Sequence, residues 1–406
     1  MKRNLLATTN LSGLGAALAA LAICAAPAAA AEPIKLSVGG FFREAYLVVS
    51  DDDDFGEPGF NRNTDGFFND AEIHFVGSTV LDNGLEVGAR VELEGETEAL
   101  TEGSAGNGQI DEAWIWFSGG WGEIRIGSDD DALANTCITP PGSTANFGAF
   151  SPNQWGANNG GDNSVCFGVT GPDDEPDAQK ILYISPVFGG FQLSTSYTPD
   201  PNAKDHLDGG GPHVGMSPKP AFEADYAVSA YLTYAYQGAD WGLTWGGGVS
   251  MQADFDIIDT GGSSSDLFSQ DFYQTGLTLQ FGNFSVGGAF EYFNDALKFE
   301  SEDSRFDIEG WSAGGGVAYA QDAWTVGAQY SYRHSDFERR DAAADFDDQA
   351  DAQRVAATVN YALGPGIAID GEVAYTWVDV DPEDSQSFFG DDYDGLEFGI
   401  GTAITF

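Results

Sequence analysis

The 406-residue chain carries 64 Asp and Glu against 16 Lys and Arg, a formal net charge of −48, yet 13% of its residues are aromatic and 54 are glycine. So negative a surface repels phosphates and excludes nucleic acid as a partner. The aromatic content excludes a disordered acidic chain, which is poor in such residues, so an apolar surface is being built with the acid held away from it.

The N-terminus, "MKRNLLATTNLSGLGAALAALAICAAPAAAAEP", reads as a secretory signal peptide. Lys2 and Arg3 form the positive region, 14–26 the short apolar region, and Ala28, Ala29 and Ala30 the small-residue cleavage site. Removal of 1–30 leaves one domain, 31–406, with a net charge of −50. Cys24 leaves with the peptide, and the Ile before it makes a poor lipoprotein box. No other apolar stretch approaches the ~18–20 residues of a membrane helix. Two cysteines remain, Cys137 and Cys166. An oxidising compartment permits them to pair, closing a loop of about thirty residues, with two free thiols as the alternative.

Period-two alternation then recurs to the end of the chain. "GLEVGARVEL" sets Leu85, Val87, Ala89, Val91 and Leu93 against Glu86, Gly88, Arg90 and Glu92; "NFSVGGAFEY" and "WTVGAQYSY" repeat the pattern. Such runs argue strands rather than helices. About sixteen are predicted, over 34–50, 67–80, 84–95, 109–119, 121–128, 178–186, 190–198, 222–237, 241–254, 270–281, 284–296, 306–320, 323–335, 350–361, 366–378 and 394–406. Their connections alternate in kind. One set is tight, such as "LDNG" (81–84), "FGN" (281–283) and "AQDA" (320–323). The other is long and acidic, such as 50–66 and the roughly fifty residues after Asp129.

An all-β, sixteen-stranded antiparallel transmembrane barrel with short periplasmic turns and long extracellular loops accounts for both regularities. In hydrocarbon no backbone group stays unpaired, so the sheet must close. Lipid-facing positions are apolar and lumen positions polar, which gives the alternation. An even strand number places both termini at the short-turn end. The final strand, "GLEFGIGTAITF", then turns Phe398, Ile400, Thr402, Ile404 and Phe406 to lipid and pairs with the first, removing the free edges. Tyr197, Tyr236, Trp241, Tyr292, Trp311, Trp324, Tyr361, Trp377 and Phe406 supply two aromatic girdles. A soluble β-sandwich or solenoid is the alternative, and it gives no reason for short and long loops to alternate.

Three stretches carry a resemblance to the trimeric, sixteen-stranded general porins of Gram-negative bacteria: "AEIHFVGSTVLDNGLEVGARVELEGE" (71–96), "DEAWIWFSGGWGEIRIGSDD" (111–130) and "KILYISPVFGGFQLSTSYTP" (180–199). The resemblance implies a third loop, here 129–178, folded into the lumen, with loop acids facing wall bases across a constriction. It implies a homotrimer in outer-membrane lipid and lipopolysaccharide, and a terminal Phe406 read by the barrel-insertion machinery. The candidate loop acids are Asp129, Asp130, Asp131, Asp162, Asp173 and Asp174. The candidate wall bases are Arg90, Arg125 and Lys180, inward by parity, and Arg43, among mixed neighbours. These bases either reach the constriction or pair locally with inward Glu44, Glu72, Glu86, Glu92 or Glu123. His74 reads as an isolated wall residue. "WGGGVS" (245–250) offers a face for close packing against a neighbouring copy.

The Asp runs, Asp51, Asp52, Asp53 and Asp54 above all, supply hard oxygens suited to Ca²⁺ but follow no calcium-loop pattern, so diffuse bridging between loops or to anionic lipid headgroups is expected rather than a resident ion. No nucleophile or acid–base constellation points to an enzyme, and no cofactor is implied. The expectation is a passive channel for ions and small hydrophilic solutes, preferring cations because the mouth is so acidic. Two alternatives stand beside it. One is a substrate-selective channel, to which Trp114 and Trp116, inward by parity, give thin support; the other is a calcium-dependent surface or adhesion barrel.

Overall fold

The structure, a computed structural model, describes residues 33–51, 64–95, 110–150, 178–199, 226–252, 255–256, 266–267, 271–294, 299–301, 304–341, 345–382 and 392–406. Sixteen strands form one closed antiparallel barrel. In chain order they are β1 (Lys35–Asp51), β2 (Asp65–Val80), β3 (Glu86–Glu94), β4 (Ile110–Gly119), β5 (Gly122–Ser128), β6 (Gln179–Ile184), β7 (Phe191–Thr198) and β8 (Ala227–Gln237). Then come β9 (Trp241–Gln252), β10 (Asp271–Phe281), β11 (Phe284–Asn294), β12 (Ser304–Gln321), β13 (Trp324–Asp341), β14 (Asp345–Gly364), β15 (Ile367–Pro382) and β16 (Tyr393–Thr405). Phe299–Ser301 folds back on the start of β12 as a spur, and Phe255–Asp256 pairs separately with Asp266–Leu267. A one-turn helix, α1 (Ala132–Thr136), follows β5.

Closure is made by β1 and β16, paired from Phe41↔Thr405 to Asp51↔Gly395. Beyond that ladder Gly40 and Phe406 exchange two N–H···O bonds of 3.1 Å, so the seam is satisfied to its last residue. At the same end the hairpin turns are as tight as the sequence suggests. Gly282 (φ 56°) and Asp322 (φ 54°) take the left-handed conformation that two-residue hairpins demand, and Asp322 is the one non-glycine residue with positive φ among those described.

The register sorts the side chains as alternation predicts. Phe398, Ile400 and Ile404 point outward and are exposed, as are Ile73, Ile115, Ile126, Val326 and Val373 on other strands. The predicted girdle residues Tyr197, Tyr236, Trp241, Trp324 and Phe406 are outward and exposed too. Two expectations need correction. Glu44 sits opposite Thr402 and Asn69, on the parity of Phe42 and Tyr46, so it faces out rather than into the lumen. Strands β12 to β15 run past their predicted limits. There Asp336, Asp347 and Asp379 stand on polar strand ends where alternation fades while backbone pairing continues.

Candidate functional site: the lumen and its inward loop

After β5 the chain turns into the barrel and follows the inner wall strand by strand. The N–H of Ala132 donates to Ser196 on β7 and that of Leu133 to Ser229 on β8. Asp131 caps α1, accepting from the N–H groups of Leu133 and Ala134, and also takes the Ser250 hydroxyl of β9 at 2.5 Å. Ile138 donates its N–H to the Tyr231 hydroxyl, while its carbonyl accepts from Gln274 on β10. The Pro140 carbonyl accepts from Gln329 on β13, and the Gly142 carbonyl from Thr358 on β14. Asn146 donates to Asp370 on β15 at 2.8 Å, and Phe147 packs against Leu47 of β1. Phe150 doubles back among Ala289, Ala356 and Ala374. The described part of the loop thus lines the wall from β5 round to β1.

The wall is shaped to receive it. At Gly276 a Cβ would meet the Ile138 carbonyl oxygen, at Gly316 that of Pro141, and at Gly327 that of Gly142. Glycine is required at these places by the close approach of two backbones. The glycines of "WGGGVS" belong partly to this track. Gly246 and Gly248 face inward and are filled by Tyr231, with Ile138 also against Gly246, so they do not form a face for a neighbouring copy.

Beneath the loop's far end lies an ion cluster that sequence reasoning did not single out. Arg354 on β14 donates to Glu397 through both terminal nitrogens at 3.0 Å, to Glu372 at 2.7 Å and to Thr376 at 2.9 Å. Its side chain and both acids are at most 3% exposed. The signal available was parity alone, since Arg354 alternates with outward Val355 and Glu372 with outward Val373. Bringing Arg354, Glu372 and Glu397 together takes the register of three strands.

Among the described residues, no part of the loop covers the opposite wall, which runs from the Arg43 end of β1 through β5. Arg43 pairs with Asp70 at 2.9 Å. Arg90 pairs with Glu92, and its Nη2 lies 3.1 Å from His74 Nδ1. Arg125 holds Glu123 at 2.7 Å and Asp129 at 3.2 Å. Trp114, inward as parity predicts, lies 4.5 Å from the Arg125 guanidinium and 5.9 Å from that of Arg90, within cation–π range. Trp116, also inward, is buried beside it. The candidate bases are therefore all inward, but the three arginines spend their charge on neighbouring acids, and Lys180 is buried at 4% exposure.

Of the candidate loop acids, Asp129 and Asp131 are 2% and 7% exposed. They anchor the root of the loop to Arg125 and to Ser250 and do not face the lumen. Asp130 is half-buried, with its N–H donating to Glu112. Cys137 is disulfide-bonded. Cys166, Asp162, Asp173, Asp174, Asp52, Asp53 and Asp54 lie outside the described residues, as does the side chain of Asp51.

A closed barrel narrowed from within by one loop has counterparts among known proteins. The family model described as "Gram-negative porin" matches residues 17–381. The chain is a Gram-negative porin. A monosaccharide porin from Halomonas sp is 23% identical over 83% of this porin and 78% of that relative. The major outer membrane protein P.IB of Neisseria gonorrhoeae is 30% identical over 39% of the chain and 40% of its own length. Among solved structures, OmpT of Vibrio cholerae with loop L8 deleted covers 92% of this porin and 100% of that chain (TM-score 0.58, 12% identity). The anion-selective porin of Comamonas acidovorans has the same coverage (TM-score 0.56, 16% identity). At such identities these structures speak for the fold alone. The porin is an outer-membrane channel and not an enzyme: its lumen is a passage lined by paired charges and a docked loop.

Proposed function

We propose that this porin is a general diffusion channel for ions and small hydrophilic solutes that prefers cations. The balance of charge on the open wall carries the reading. Among the described residues of this wall, Arg43, Arg90 and Arg125 stand among Asp70, Glu72, Glu92, Glu94, Asp111 and Glu123, so acids outnumber bases there and all three arginines are engaged. The chain's overall charge adds to the negative potential at the mouth. A reversal potential in a KCl gradient across a planar bilayer tests it: a cation-selective sign is expected, and anion preference refutes it. The same proposal includes export by the 1–30 signal peptide, a mature domain of 31–406, insertion guided by Phe406, and a homotrimer in lipopolysaccharide-containing membrane. It also includes a disulfide from Cys137 to Cys166 and diffuse Ca²⁺ bridging of the acidic loops. Light scattering in detergent reads the assembly, and mass spectrometry with and without reductant reads the cysteines.

A second reading, a channel selective for sugars, draws on Trp114 and Trp116 at the inner wall and on the name of the Halomonas relative. Liposome swelling separates the two. Rates falling smoothly with solute size support general diffusion, and saturation by one monosaccharide supports the selective channel.

A further inference from the structure

We propose that Glu72, His74 and Glu92 form a binding site for a divalent transition ion of the Zn²⁺ or Ni²⁺ class on the open wall of the lumen. His74 and Glu92 are directly opposed across β2 and β3, and Glu72 is the next residue along the same face of β2. One ligand atom from each lies within 4.8 Å of the others. His74 Nε2 is 2.6 Å from Glu72 Oε2 and 3.6 Å from Glu92 Oε2. A tetrahedral ion with bonds near 2.0 Å holds its ligand atoms ~3.3 Å apart, so these separations bracket the spacing such an ion needs. Side-chain exposures of 18% for His74 and 17% for Glu72 leave the atoms within reach of the lumen.

The surroundings call for a cation. Glu72 also belongs to a second close group, with Glu94 and Asp111. Four carboxylates therefore converge on one stretch of wall, with Arg90 reaching into it and Arg43 also close enough to act on Glu72. So many carboxylates on one patch attract a cation. The imidazole decides which ion it is: Ca²⁺ and Mg²⁺ take oxygen ligands, whereas imidazole suits Zn²⁺ and Ni²⁺.

Arg90 holds the other atoms of two of these groups, Glu92 Oε1 and His74 Nδ1, and leaves His74 Nε2 beside both Oε2 atoms. An ion at Nε2 takes the lone pair of a neutral ring whose one proton is on Nδ1. Arg90 Nη2 must therefore withdraw from that nitrogen. Arg90 is thus a competitor for the site, and removing its charge strengthens binding.

The test is calorimetric titration of ZnCl₂ into the detergent-solubilised full-length porin in about 0.3 M KCl, which screens diffuse attraction to the acidic surface. One saturable site per chain is expected, with Ca²⁺ a poor competitor. H74Q should weaken binding by about tenfold or more, and R90Q should tighten it several-fold. In planar bilayers Zn²⁺ should lower the conductance of the wild type saturably and leave that of H74Q unchanged. Unsaturable uptake, equal affinity for Ca²⁺, or identical titrations of wild type and H74Q would overturn the site. Should H74Q fail to fold, judged by the heat-dependent gel mobility of the barrel, R90Q decides, and no tightening in R90Q rejects the proposal. None of these outcomes depends on the sign of the channel's ion preference.

Discussion

The two sides of the lumen use the same chemistry, an arginine on a strand beside strand carboxylates, to different ends. On β1 to β5 the Arg43–Asp70 pair is partly buried but still reached by water, with side chains 28% and 14% exposed. On β14 to β16 Arg354, Glu372 and Glu397 are sealed beneath Phe147 to Phe150, with exposures of 3%, 1% and 1%. Water screens the first pair, so it adds little to stability and mainly sets the field that passing ions meet. The second pair sits in a low dielectric, where an unmatched charge is costly, so it fixes a conformation. What separates the two is the cover of one loop.

The largest expected effect comes from breaking the covered side. Arg354→Ala strands two buried carboxylates and should cost ~3–5 kcal/mol; Arg43→Ala should cost under ~1 kcal/mol. Urea unfolding of the porin in lipid vesicles, followed by tryptophan fluorescence, compares them, and equal costs would erase the distinction. Gly316→Val attacks the same side by shape. A side chain there meets the Pro141 carbonyl, so the loop must lift from the wall. Single-channel conductance should rise and become noisy, while Gly364→Ala, with nothing within 4 Å of a new Cβ, should leave it unchanged. Next in size is Gln329→Ala. That amide accepts from the Ala149 N–H at 2.8 Å and donates to the Pro140 carbonyl at 3.1 Å, tying both limbs of the loop to β13. Its loss strands those groups and should cost about 1–3 kcal/mol, with conductance moving toward that of Gly316→Val.

The barrel was legible because two solvents write a period of two into every strand. Ile400 against Gly401, or Val355 against Arg354, needs no knowledge of its neighbours to be assigned a face. The constriction was less legible because its chemistry depends on what lies opposite. Asp129 and Asp131 look like lumen acids in a hydrophilic run, but one is claimed by Arg125 and the other by α1 and Ser250. His74 looks solitary in sequence, yet Glu92, eighteen residues on, is its cross-strand partner. The glycines at 276, 316 and 327 look like ordinary strand glycines until the loop backbone is seen to pass over them. Periodicity reports the solvent each residue meets, whereas pairing and cover are set by register and by the path of one loop.

The smallest effect sharpens the comparison through salt. Glu123→Gln removes an open-wall acid beside Arg125, leaves that guanidinium its bond to Asp129, and should reduce cation preference only modestly. The shift should be clear near 0.1 M KCl, where charges act over about 10 Å, and nearly vanish at 1 M, where the range falls to about 3 Å. The penalty of Arg354→Ala should survive the same change, because its carboxylates lie where mobile ions do not reach. Reversal potentials for the first variant and unfolding midpoints for the second, each at both concentrations, give a crossed result. Salt should silence the open wall and spare the covered one. If salt relieves both alike, the loop does not seal Arg354, and the two walls differ in composition only.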